Sequence, residues 1–366
     1  MAKSYKSQRR SSQILTNGIL ILICLVWLVP IFGVLITSFR QSSDIFRSGW
    51  WTVFPHKADI DVGTIKLDAS VDVDGPITVE GVTATFEEWR QGVKLPDGRT
   101  VTWYGNKRTR TLTVSERQWV GFSTNLTLQN YKDVITGKTI TFKDGAGNTI
   151  TRQGNNLGSA FLNSLAVAIP GTIIPILIAA FAAFGFAWLD FPGRNILFTI
   201  IVALLVVPLQ IALVPILQDY VKLGLNGTFL GIWLAHTGFG LPLATYLLFN
   251  YISSLSRELL EAAFIDGASN FTIFTQMILP LSVPALASFA IFQFLWLWND
   301  YLVALIFLGE KNRVVTYALA SIVGEKGQDW HLMTSAAFVS MVLPLLVFLL
   351  LQRYFVRGML AGSVKG

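Results

Sequence analysis

Long stretches without a charged residue constrain the fold of this chain more than any other feature. Two of them run from Ser11 to Phe39 and from Gln153 to Leu189. A helix needs about 20 consecutive apolar residues to cross the hydrocarbon core of a bilayer, so each stretch is long enough to span it. Charged residues make up only 14% of the chain, and the mean hydropathy is +0.55. The sequence therefore predicts a membrane protein.

The hydropathy pattern predicts an all-α polytopic membrane protein with about six transmembrane helices and a β-rich extracytoplasmic domain inserted between helices 1 and 2. Basic residues flank both ends of the chain, which places both termini in the cytoplasm by the positive-inside bias. The predicted segments are a cytoplasmic N-terminus (1–13), TM1 (14–38), a periplasmic β-rich domain (39–156), TM2 (157–189), TM3 (196–217), TM4 (229–251), a cytoplasmic coupling loop (252–280), TM5 (281–308), a periplasmic loop (309–332), TM6 (333–352) and a cytoplasmic tail (353–366).

The segment after the first span differs in character from the rest of the chain. It carries charges of both signs, and Asp97-Gly98 is typical of a tight turn. Alternating apolar and polar residues predict strands over three stretches, Thr64 to Val71, Thr78 to Phe86 and Thr111 to Val114.

Several function classes are disfavoured by the composition. The net charge is +6, but the basic residues lie in flanks and loops, so we expect no nucleic-acid partner. Cys24 is the only cysteine and the three histidines are scattered, so no metal site is predicted. The nearest match to a phosphate-binding loop, at Gly137-Lys138-Thr139, has Lys132 where the first glycine belongs. We therefore predict neither catalytic residues nor a cofactor in this chain.

The segment between the fourth and fifth spans is the most informative. Glu258, Glu261 and the alanines that follow favour a helix, Gly267 permits a sharp turn, and Pro280 is expected to close a second short helix. This pattern predicts a helix-turn-helix on the membrane surface. Such an element suits docking into a cleft of a soluble partner, and a purely structural interfacial helix is the alternative.

The residues of this segment resemble the cytoplasmic signature of permeases of binding-protein-dependent ABC importers. Met277, where the family has isoleucine, is the one departure. Trp298-Asn299-Asp300-Tyr301 and the tail from Arg357 to Gly366 are similar to the sugar branch that includes maltose permeases of the MalG type. The enlarged first outer domain resembles α-glucoside permeases of the AglG type. The signature residues, expected to couple to an ATPase, are Glu261, Ala262, Ala263, Asp266, Gly267, Leu279 and Pro280.

The resemblance implies a permease subunit that translocates a di- or oligosaccharide across the bacterial inner membrane by alternating access. It implies as partners two copies of an ABC ATPase, which bind ATP and Mg, a homologous second permease subunit and a periplasmic sugar-binding protein. The tail would contact the ATPases through Gly358, Ala361, Gly362, Lys365 and Gly366.

Two further sets of residues are candidates for contacts outside the coupling segment. The polar and aromatic residues of the fifth span line a sugar pathway or pack helices together: Gln293, Trp296, Trp298, Asn299, Asp300 and Tyr301. The polar loop before the sixth span contacts the binding protein or is merely solvated: Gly324, Gly327, Gln328, Asp329 and Trp330.

Two other classes of protein share some of these features. An ion-coupled secondary transporter would also carry an acidic residue such as Asp300 within a span, and a membrane-anchored β-domain protein or enzyme would also have a β-rich domain. Neither explains the coupling segment, and no internal repeat typical of secondary transporters is evident.

Overall fold

The computed structural model describes residues 2–361 apart from 138, 144, 146, 155, 327 and 328. The chain divides into two compact units between Thr127 and Leu128. The first unit begins with α1 (Ala2–Ser38), followed by α2 (Ser42–Ile45) and a 3-10 turn at Trp50–Val53. The apolar side chains of α1 from Ile14 to Val34 are mostly exposed, as expected of a helix that faces lipid.

The rest of the first unit is a β-containing region. The elements are β1 (His56–Lys66), β2 (Ile77–Val79), β3 (Val82–Ala84), α3 (Phe86–Gln91), β4 (Val93–Lys94), β5 (Thr100–Trp103) and β6 (Thr111–Val120). The four-stranded antiparallel sheet has the order β1-β6-β5-β4, and β2 and β3 form a separate hairpin. Trp89 is fully buried in the core of this region and donates its indole N–H to the carbonyl of Ile77 at 3.1 Å.

Turn residues explain where this region differs from the predicted strands. The stretch predicted as one strand over Thr78 to Phe86 is a hairpin, because Glu80 and Gly81 both have positive φ (45° and 84°) and reverse the chain between β2 and β3. Thr85 then caps α3 in a capping box with Glu88. The predicted turn at Asp97-Gly98 is present and joins β4 to β5.

The second unit is mainly helical. It opens with α4 (Gln129–Thr136) and the hairpin of β7 (Thr139–Lys143) and β8 (Thr149–Gln153). The helices that follow are α5 (Leu157–Trp188), α6 (Arg194–Ala203), α7 (Leu209–Lys222), α8 (Phe229–Ile252), α9 (Arg257–Ile265), α10 (Asn270–Ile273), α11 (Leu279–Leu281), α12 (Val283–Asn299), α13 (Leu302–Phe307), α14 (Val315–Lys326) and α15 (Trp330–Ala361).

Across the described residues, four helices are long and apolar enough to cross a membrane, or up to six spans if each of two bent helix pairs counts as one. The four are Ser12–Ser38, Leu157–Trp188, Phe229–Ile252 and Trp330–Tyr354. The bent pairs are Arg194–Val206 with Leu209–Lys222, at 104°, and Asn270–Leu281 with Val283–Asn299, at 70°. The predicted polytopic helical fold is confirmed at this level.

Two of the expected spans are not continuous helices. The one predicted over 196–217 breaks before Pro208, which has no N–H to donate and stands at the N-cap of α7. The one predicted over 281–308 ends at Asn299, and the short α13 begins after Asp300. The loop predicted over 309–332 is largely helical, because α14 occupies most of it and α15 begins at Trp330.

Trp89 provides a test of how far the β-containing region depends on its core. Trp89→Ala should destabilise this region by about 3–5 kcal/mol, because it leaves a large cavity among buried side chains. Hydrogen exchange of the β5 and β6 amides in the purified full chain measures the effect. Trp119→Ala is the matched control, since that side chain is 68% exposed, and equal exchange in the two variants would contradict the prediction.

Candidate functional site

The candidate coupling element consists of α9, a turn at Gly267 and the helical segment from Asn270 to Leu281. Gly267 has φ of +81°, and its N–H bonds to the carbonyl of Phe264 at 3.1 Å while that of Ala268 bonds to Ala263 at 3.0 Å. This is a glycine-terminated helix end. Ser269 then caps α10 by accepting a hydrogen bond from the N–H of Thr272. The helix-turn-helix expected from the sequence is thus formed.

Buried apolar side chains pack the coupling element against the neighbouring helices. Leu260 from α9 and Ile273 and Ile278 from the second segment are all buried. They belong to one core cluster with small and large apolar residues of α5, α8 and α12, namely Ala179, Ala180, Ala183, Phe184, Ala244, Leu248, Ile252 and Phe289. The coupling element is therefore packed directly against those three helices.

The opposite side of the coupling element is open and combines charge with apolar surface. Ile265 is 86% exposed, and Phe264 and Phe271 are exposed beside it. Glu261 is also exposed and pairs with Arg257 of the same helix at 3.4 Å. Exposed ion pairs of this kind are worth less than about 1 kcal/mol, so Glu261 can exchange this partner for another at little cost.

Four other signature residues of the coupling element differ in exposure. Asp266 and Ala262 are exposed, Ala263 is half-buried against the core cluster, and Leu279 is half-buried in the second segment. Glu258 of α9 accepts a hydrogen bond from the hydroxyl of Ser256. This hydrogen bond lowers the pKa of the Glu258 carboxyl and keeps that carboxyl ionised.

Pro280 does not end the second segment as expected. A π-helical turn at Phe274–Ile278 leads directly into α11, and the N–H of Ser282 still bonds to the carbonyl of Ile278 at 2.9 Å. Pro280 lies within the first two positions of α11, where a missing N–H is tolerated. The chain therefore continues into α12 through a bend of 70°.

The predicted pathway residues of the fifth span do not face one common surface. Gln293 and Trp298 are buried and donate to the carbonyls of Gly171 and Ser340 at 3.2 and 3.0 Å. Asn299 is exposed but donates to Leu295 of its own helix. Trp296 is half-buried, and Tyr301 is exposed with its ring 6.2 Å from that of Tyr317. Their contact with a transported solute stays a prediction.

Asp300 stabilises the break in the fifth span. Its carboxylate accepts from the N–H groups of Val303 at 3.2 Å and Ala304 at 2.9 Å, which caps α13. His236 of α8, which sequence reasoning set aside as isolated, lies with its Nε2 3.8 Å from Oδ2 of Asp300. The His236 ring is fully buried and meets Trp296 edge-on at 5.2 Å. Only the tertiary fold brings this pair together.

The two remaining predicted contact sets are only partly described. Gly358 and Ala361 continue α15, whereas Gly362, Lys365 and Gly366 lie outside the described residues. Gly324 lies in α14, Asp329 is half-buried and Trp330 is exposed at the start of α15. Gly327 and Gln328 lie outside the described residues. Within the part of the chain that is described, no group of acidic, histidine and cysteine side chains could hold a metal ion.

A polar cavity of ≈ 270 Å³ in the second unit was missed by sequence reasoning. It lies between the start of α5 and the connection from α13 to α14, where the Asn163 amide donates to the Arg313 carbonyl at 3.0 Å. Its polar lining residues are Asn156, Ser159, Asn163, Glu310, Lys311 and Arg313. Amides and charged groups of this kind can bind hydroxyl groups, but nothing in their separate sequence positions indicates that they meet.

Asp300 can be tested as a helix cap. Asp300→Ala should lower the stability of the purified protein by about 1 kcal/mol, because two N–H groups of α13 lose their acceptor, whereas Asp300→Asn should retain most of it. The melting temperature in detergent measures both. An Asn variant as unstable as the Ala variant would show that the negative charge beside His236 matters more than the cap.

The comparisons with known proteins agree with the resemblance inferred from the coupling element. Residues 175–361 match the family described as "Binding-protein-dependent transport system inner membrane component". The chain is 45% identical to the osmoprotective compounds uptake permease protein GgtD of Synechocystis sp., over 94% of this chain and 89% of that protein. It is 44% identical to the alpha-glucoside transport system permease protein AglG of Rhizobium meliloti, over 94% of this chain and 95% of that protein.

A solved structure supports the same fold. A chain of a bacterial ABC transporter involved in the import of the acidic polysaccharide alginate matches with a TM-score of 0.59 at 15% identity, over 94% of this chain and 97% of that chain. The resemblance read from Glu261, Gly267 and Pro280 is therefore confirmed. The chain belongs to the family of inner-membrane components of binding-protein-dependent transport systems, as a permease subunit and not an enzyme.

Proposed function

We propose that this chain is one of two permease subunits of an ATP-driven importer that carries an α-glucoside or a related di- or oligosaccharide. The observation that carries this proposal is the 44% identity to an alpha-glucoside permease over 95% of that protein. A match of this length includes most of the β-containing region as well as the helical unit, so the similarity is not limited to the coupling element.

Uptake of an osmoprotective compound is the second candidate function, because the identity to a permease of that kind is 45%. The two candidates share one mechanism and differ in the solute. ATPase activity of the purified complex distinguishes them: a binding protein loaded with an α-glucoside should stimulate hydrolysis, and one loaded only with an osmoprotective compound should not. If only the binding protein loaded with the osmoprotective compound stimulated hydrolysis, that compound would be the substrate.

The coupling element carries the proposed mechanism. Two copies of an ABC ATPase bind ATP and Mg, and each docks on one permease subunit. The exposed apolar residues Phe264, Ile265 and Phe271 suit burial in a cleft of an ATPase, and Glu261 suits pairing with a basic residue there. Closure of the ATPases on ATP would displace the element and, through its buried contacts with α5 and α8, switch the pathway between inward-facing and outward-facing states.

The orientation follows from this assignment. The coupling element faces the cytoplasm, and both termini lie on the same side in agreement with their basic residues. The β-containing region and the connections before α14 and α15 then face the periplasm, where a solute-binding protein docks. The polar cavity beside Asn163 would lie at the outer end of the helical unit, with Asn299 and Tyr301 as further candidate contacts for the solute.

Glu261 provides the direct test of coupling. Glu261→Gln should reduce the amount of ATPase that co-purifies with the chain by about tenfold, because a charge-assisted pair is lost from the docked surface. Quantifying the ATPase subunit after affinity purification measures this, and uptake of solute should fall in parallel.

Glu258→Gln is the matched control for Glu261→Gln. Glu258 lies on the same helix and is exposed, but its carboxyl is held by Ser256 within the chain. We expect near-normal association for this variant. If both variants retained the ATPase and full uptake, the assignment of Glu261 to the docking surface would fail.

A further inference from the structure

A second polar cavity, of ≈ 240 Å³, lies just beyond the end of α1 in the first unit. The two ends of the β-containing region meet there, because the N–H of Thr127 donates to the carbonyl of Phe39 at 2.7 Å and Arg40 forms a β-bridge with Leu126. The polar residues that line the cavity are Arg40, Asp44, Arg47, Ser48, Thr52, Ser123 and Asn125.

Arg40 gives this cavity a buried positive charge. The residue is only 4% exposed, and its guanidinium donates to the carbonyls of Ser48 and Asp44 and to the hydroxyl of Ser48, at 3.0, 2.8 and 2.7 Å. Burial lowers the pKa of Arg40, and the attraction of Asp44 only partly opposes this effect. An additional negative charge in the cavity would therefore be favourable.

The other charged groups leave the cavity with a positive balance. The carboxylate of Asp44 accepts a hydrogen bond from the amide of Asn125 at 2.9 Å. The side chain of Arg47 is exposed and makes no hydrogen bond or ion pair within the described residues. Among the described residues that line the cavity, two guanidinium groups thus stand against one carboxylate. Hydroxyl and amide groups beside them supply further donors for the oxygens of an anion.

Aromatic rings surround the end of α1 next to this cavity. Phe32 of α1 lies 6.1 Å from Trp50 and 6.2 Å from Phe54, and Phe54 lies 6.1 Å from Phe122, measured between ring centroids. Trp51 follows in the same turn and is exposed. Because aromatic residues concentrate at the boundary between hydrocarbon and water, the cavity opens at the depth of the phospholipid headgroups.

We propose that this cavity binds the phosphodiester of a membrane phospholipid. Arg47 contacts the phosphate oxygens, Ser123 and Asn125 flank them, and Trp51 packs on the boundary between the glycerol and the acyl chains. Arg40 supplies the buried charge but also holds the chain ends together, so it is a positioning residue. Lipid bound here would fix the base of the β-containing region to the membrane surface. This inference depends on the inner-membrane location and not on the transported solute.

The test is a lipid titration of the purified full chain with its partner subunits in mild detergent, followed by native mass spectrometry. Dioleoyl-phosphatidylglycerol is the probe, and dioleoylglycerol is the lipid without phosphate. We expect Arg47→Gln to weaken the binding of the most tightly bound phosphatidylglycerol about tenfold, because one charge-assisted contact is lost. Trp51→Ala should weaken the binding of the same phosphatidylglycerol molecule. Dioleoylglycerol should not displace this lipid from the unchanged protein.

Arg108→Gln is the matched control, since Arg108 is an exposed arginine of the same unit that does not line the cavity. Its lipid binding should equal that of the unchanged protein. Equal binding by the Arg47→Gln variant would overturn the proposal. Displacement of the lipid by equimolar inorganic phosphate would also overturn it, because the cavity would then be a site for a free anion.

Discussion

The close packing of α5 against α8 is the constraint on which the second unit depends. Small buried residues lie where the two helices share a core cluster: Ala179, Ala180 and Ala183 in α5 and Ala244 in α8. Small side chains let two helix backbones approach closely in a membrane, where apolar lipid tails leave no hydrophobic driving force for helix association. The coupling element at one end and the buried amide of Gln293 near the middle both rest on this pair.

The features that the sequence could predict are those set by local chemistry. Runs without charge identified α1 and α5 because the cost of a charge in hydrocarbon depends on the residue alone. The turn at Gly267 was predictable because few other residues adopt its positive φ without strain. The exposed position of Glu261 was predictable because this residue lies on α9, the surface helix that ends at this turn. Here local preference and tertiary structure agree.

The features that could not be predicted depend on partners distant in the sequence or on hydrogen bonds that hydropathy does not register. The break at Asp300 does not change the hydropathy averaged over the fifth span, so that average does not predict it. The local signal for it is an acidic residue three positions before Val303, which is typical of a helix N-cap. Pro280 was expected to end a helix, but the adjoining π turn accommodates it. The residues around Asn163 and those around Arg40 meet only because separate segments fold together.

The bend between α11 and α12 has a mechanical consequence. The backbone hydrogen bond from Ser282 to Ile278 continues through the bend, so the two segments are joined by a stiff elbow and not by a flexible linker. At an angle of 70°, a displacement of the coupling element along the axis of its second segment would act mainly across the axis of α12, and so would tilt α12 more than translate it. The far end of that lever is Asn299, next to the capped break at Asp300, where the largest excursion would therefore occur.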